Sequence, residues 1–123
     1  MNWLTIAVLL MTAAPVTAEP QTQFTAITGY VIDSACLFVK NLDRPINKQC
    51  AIDCAKAGSP LVILADDGTV YLPISSAMPA TGQNDRLMPF AGEKVTIRGK
   101  VFERGGSHAL VIEEIKRAAA TAS

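Results

Sequence analysis

The chain has 123 residues, half of them hydrophobic, with 11 basic side chains against 11 acidic ones. That is enough for one domain with a real core. With zero formal charge and no block of like charge, it lacks the basic patch that a nucleic-acid partner demands, so no nucleic acid is expected.

Trp3 to Val16 is mostly apolar, uncharged, and too short for an ordinary transmembrane helix. It ends in Val16-Thr17-Ala18, the small residues a signal peptidase inspects, ahead of Glu19-Pro20. We read residues 1–18 as a secretory signal peptide, although Met1-Asn2 supplies no Lys or Arg. The mature protein is then periplasmic or secreted. The alternative is a retained anchor facing the periplasm, and only in that case is membrane contact expected. Residues 19–23 read as a disordered polar lead-in.

Phe24 to Asp33 reads as one long first strand, interrupted at Gly29, where a bulge or bend lets one strand serve two sides of a small barrel. Asp33-Ser34 ends it, and Ala35 to Val39 forms a helical turn or a tight loop. Pro45 blocks any helix through it. Lys48 to Ala57 is the best helix of the chain: Asn47 is a good N-cap, the interior is alanine-rich, and Gly58 fits the C′ position with Pro60 just beyond.

Leu61 to Ala65 and Thr69 to Leu72 pair as a hairpin about Asp66-Asp67-Gly68. Residues 74–91 are a connection with one short helix near Asp85 to Phe90. Gly92 to Phe102 alternates with Val95, Ile97 and Val101 inward. Arg104 to Ser107 turns the chain, Ala109 to Ile115 is the last strand, and residues 117–123 are a frayed tail. The fold class is thus mainly β with one inserted short helix: a five-stranded OB-like small barrel spanning 24–116, its cysteine-bearing insertion at about 36–58.

All three cysteines, Cys36, Cys50 and Cys54, lie in or beside that insertion. Outside the cytosol, three cysteines allow at most one intramolecular disulfide. Cys50 and Cys54 sit a turn apart on one helix face with Cβ atoms roughly 5–6 Å apart, too far to bond each other. Both can face Cys36.

In the first reading, Cys36 pairs with Cys50 or Cys54 and staples the helix to the barrel, a loop closure worth on the order of 3 kcal/mol. In the second, all three thiolates hold a soft metal or a haem; sulfur-only ligation suits copper(I) or zinc, and the only histidine, His108, reads as a solvated surface residue. In the third, Cys50, in the first helical turn, is the attacking thiol of thiol–disulfide chemistry, though no C-x-x-C is present. Asp33 reads as a turn-former and Asp53 as a solvated helix residue, while Met78 and Met88 are gap-fillers. No phosphate loop, Ser-His-Asp spacing or zinc-protease motif appears, so no catalytic residue is assigned.

Gly29-Tyr-Val-Ile-Asp-Ser-Ala-Cys36, Cys50-Ala-x-x-Cys54-Ala-x-x-Gly58-x-Pro60, Asp67-Gly-x-Val-Tyr-Leu-Pro73 and the ending Leu87 to Val101 resemble a family of small exported bacterial proteins of poorly defined function. The resemblance implies an OB-like barrel and an exported location, but no mechanism. Members often carry a histidine three residues before the cysteine matching Cys50; here that residue is Asn47. The expected role is a non-catalytic binding or accessory module for a protein partner or small ligand, stapled by a disulfide from Cys36. The alternatives are a carrier or sensor for copper, zinc or haem through Cys36, Cys50 and Cys54, and a thiol redox protein.

Overall fold

A computed structural model describes residues 9–14 and 21–119. The signal-peptide reading lies mostly outside them; residues 9–14 have no regular secondary structure, and Leu9, Leu10 and Met11 are exposed. Among the described residues, no helix is long and apolar enough to cross a membrane.

Five strands, β1 (Gln21–Asp33), β2 (Leu61–Ala65), β3 (Val70–Pro73), β4 (Lys94–Arg104) and β5 (Ser107–Arg117), close into a barrel in the order β1-β2-β3-β5-β4. All neighbours are antiparallel except β3 and β5, which run parallel. This is the expected OB-like barrel. Closure works because β1 serves two partners, pairing with β4 over Gln21–Tyr30 and with β2 over Gly29–Asp33. Gly29 is the residue where the second partner joins. A Cβ there would lie 2.3 Å from the Leu64 carbonyl oxygen and 2.7 Å from Ala65 Cα, so only glycine lets the strands approach.

Inward positions follow the period of two along the strands. Ile27 and Val31 of β1 meet Leu61 and Ile63 of β2, Val95 and Ile97 of β4, and Leu110 and Ile112 of β5 in one buried cluster. The hairpin about Asp67-Gly68 and the alternation of β4 are as expected.

Two boundaries differ from the sequence reading. The lead-in 19–23 was expected to be disordered, yet Gln21, Thr22 and Gln23 belong to β1, opposite Glu103, Phe102 and Val101. The tail was expected to begin at 117, yet β5 runs through Arg117, opposite Val95. The cause is shared: β4 is 11 residues long, and its backbone donors and acceptors at both ends need partners whatever side chains those partners carry. Arg117 is also held by Glu93 Oε2 at 2.9 Å and the Pro89 carbonyl at 3.0 Å.

The insertion holds two helices: α1 (Ser34–Val39), where a helical turn or a tight loop was expected over Ala35 to Val39, and α2 (Lys48–Lys56), the expected helix. A short α3 (Asn84–Leu87) and a 3-10 turn (Met88–Phe90) fill the β3–β4 connection. Leu37 of α1 packs with Ile32 and Val62 in a second buried cluster beside the main core. Ala51 and Ala55 of α2 join the main core, where small side chains let the helix backbone approach closely.

Candidate metal centre

The site starts from two helix caps. Asn47 Oδ1 accepts the Cys50 backbone N–H at 2.7 Å and starts α2. Gly58, with φ +101°, ends it in the left-handed conformation that glycine favours. Asn84 secures this end, donating to the Ser59 carbonyl at 2.8 Å and accepting the Leu61 N–H at 2.9 Å. Asp33 Oδ2 accepts the Cys36 N–H at 2.9 Å and starts α1. Each cap thus holds a cysteine in the first turn of its helix, Cys36 in α1 and Cys50 in α2.

With Ala51 and Ala55 fixed inward, Cys50 and Cys54 fall on the half-buried flank of α2, facing Cys36, which is buried. The three Sγ atoms all lie within 4.8 Å of one another. All three thiols are free, and none of the three pairs is joined as the disulfide expected from Cys36 to Cys50 or Cys54.

Burial, above all, pushes the Cys36 thiol up to about 11, with Cys50 and then Asp33 adding to the rise. The Cys54 thiol is also raised, first by burial and then by the charges of Asp33 and Cys50. Both are therefore protonated near neutrality, which makes them poor nucleophiles.

Their spacing suits a shared ion. Sulfurs bound to one zinc at about 2.3 Å sit roughly 4 Å apart, so the cluster is within about an ångström of that spacing. The donors are soft, matching copper(I) or zinc.

The other candidates lie elsewhere or play other parts. His108 is not among the clustered donors; it is half-buried, packs edge-on against Tyr71 and lies 3.2 Å from Glu103, so it is less solvated than expected. Asp53 is exposed and takes a hydrogen bond from Gln49 at 2.8 Å. Met78 is exposed, while Met88 packs against the core.

Asp33 is the residue whose importance the sequence reading missed. It does cap a turn, yet it is only 1% exposed, and its Oδ1 is buried without a hydrogen-bond partner. The signal was strand parity: Ile27 and Val31 point inward, so Asp33 must too.

On another face of α1, Phe38 joins Pro60, Val62, Val70, Leu72 and His108 around a groove of about 680 Å³.

No family model, curated protein or solved structure matches this chain. The fold and site together define a class: a small closed OB-like barrel whose β1–β2 insertion gathers three free cysteines.

Proposed function

We propose that this protein is an exported, non-catalytic barrel that binds a thiophilic cation, copper(I) or zinc, through Cys36, Cys50 and Cys54. The observation that carries the reading is the mutual approach of all three sulfurs within 4.8 Å, each as a free thiol. A disulfide staple needs only two of them, and gives no reason for the third to be held beside the pair. Oxidation joining Cys36 to Cys50 or Cys54 would remove two donors, so the staple and the loaded site are alternative states of the same sulfurs. Membership of the exported bacterial family with the matching cysteine motif is part of the proposal, as is a periplasmic location.

The test is anaerobic titration of the reduced full chain with zinc or copper(I) against a chromogenic chelator. One ion per chain is expected, lost in each of C36S, C50S and C54S and retained in H108A. A reduced wild-type chain that takes up neither ion would overturn the reading.

A second reading, a module for a small ligand or a protein segment, is favoured by the groove beside Phe38 and Leu72. Under it, the three serine variants lower stability and leave ligand affinity intact.

A further inference from the structure

We infer that Asp33 makes the three-cysteine site select a divalent cation over a monovalent one. The inference rests on the proposed metal reading and adds the charge of the ion to it. Asp33 occupies the last inward position of β1, continuing the parity of Ile27 and Val31. It is the only charged or polar residue among the buried described residues.

One carboxylate oxygen is committed to the Cys36 N–H, whereas Oδ1 has no hydrogen-bond partner. Among the described residues, no Lys, Arg or His forms an ion pair with Asp33; Lys48, at the start of α2, pairs with Glu93 at 2.6 Å, and the other pairs join residues of β4, β5 and their neighbours. Leaving a buried acid this way is costly unless something else compensates it.

What faces it is the thiol cluster. Its charge acts on both Cys36 and Cys54, which arrive from different helices. Asp33 is not one of the mutually close donors, so its effect on an ion held by the sulfurs acts through space and requires no bond. With the thiols ionised, the site gathers the charge of three thiolates and a carboxylate in a largely buried place. A divalent ion cancels one more of those charges than copper(I) does. At an effective dielectric of about 20, one extra unit of charge within roughly 8 Å changes an affinity by tenfold or more. Sulfur donors alone favour soft ions of either charge; the buried carboxylate breaks that tie in favour of zinc.

The experiment measures zinc and copper(I) affinities separately, on the reduced full chain, for wild type and D33N. Asparagine keeps a carbonyl oxygen for the Cys36 N–H and so preserves the cap. The expected result is a fall of at least about tenfold in the zinc-to-copper(I) affinity ratio. D33S, another neutral capping residue, serves if D33N does not fold, and cadmium against silver(I) should shift in the same sense. Equal weakening for both ions would assign Asp33 a purely structural role and overturn the inference, as would no change in either. Uptake of neither ion by wild type would overturn the metal reading itself, and this inference with it; the wild-type and variant measurements therefore separate the two failures.

Discussion

In the barrel, Ile27, Val31, Ile63, Ile97 and Leu110 are buried side by side from four strands, and nothing beyond the chain is required to satisfy them. Between β1 and β2 the same chain behaves differently. Residues 34–60 carry three free thiols and the exposed side chains of Phe38, Val39 and Ile46, and they adjoin a buried carboxylate oxygen with no partner. The first region derives its stability from apolar burial and strand register. The second is built on two short capped helices and gathers three free thiols beside the one buried carboxylate oxygen without a partner. A rigid platform carrying a chemically unsatisfied segment is how small barrels host sites without endangering the fold.

The comparison is broken most severely at Gly29, where both regions depend on one residue. A valine there would drive its Cβ into the Leu64 carbonyl and Ala65 Cα, both backbone atoms that cannot rotate away. G29V should lower the free energy of unfolding by about 3 kcal/mol or more in urea, a large fraction of the roughly 5–15 kcal/mol typical of a domain. A loss under about 1 kcal/mol would mean that β1 can change partners elsewhere, and that the barrel is not the fixed platform described.

How much of this was legible before the structure follows the same division. The barrel was readable because its signals are local and periodic: alternation through Val95, Ile97 and Val101, a hairpin at Asp67-Gly68, and a glycine where β1 takes a second partner. The limits of the strands were not, because Gln21 to Gln23 and Lys116 to Arg117 are polar and join the sheet through backbone groups that every residue carries. Within the insertion, Asn47 and Gly58 announced α2, and the four-residue spacing put Cys50 and Cys54 on one face. The convergence of Cys36 with both could be expected, but not its closeness, which depends on α1 being helical and capped by Asp33. The burial of Asp33 was written in the parity of β1 and overlooked, since an acid at a strand end usually faces water.

The next effect is smaller and sharpens the contrast. In the metal-free chain the Cys36 thiol is raised from 9.0 to about 11 by burial, Cys50 and Asp33. A group whose folded value lies above its unfolded value contributes stability that is fully present below the unfolded value. For Cys36 that contribution holds below about pH 9 and is lost as the pH rises through about 11. Tyrosines and lysines titrate in the same range, so the quantity to measure is the stability difference between wild type and C36S. That difference should fall between about pH 9 and about pH 11 without metal. With zinc present, the affinity should rise with pH, because bound thiolates have lost their protons. A wild-type-minus-C36S difference that is flat across this range would show that Cys36 is not buried against its neighbours in solution.

The smallest effect isolates the segment from the barrel altogether. Asn47 is exposed and touches the fold chiefly through its side-chain oxygen on the Cys50 N–H at 2.7 Å. N47A should cost about 1 kcal/mol, as other asparagine caps do, and N47D should recover most of it, because aspartate also caps and suits the positive end of the helix. The one bond from the main core cluster to this cap is backbone, the Ala51 N–H on the Asn47 carbonyl at 3.5 Å, which N47A retains, so hydrogen exchange of β4 and β5 amides should be unchanged under conditions where they open locally. Exchange at the first turn of α2 should rise, and zinc affinity should weaken by only a fewfold, since Cys36 and Cys54 stay where Asp33 and Ala55 hold them. Equal acceleration across the barrel strands would show that α2 and the barrel unfold as one unit. The separation between a self-sufficient platform and its thiol-bearing segment would then be a matter of composition alone, not of energetics.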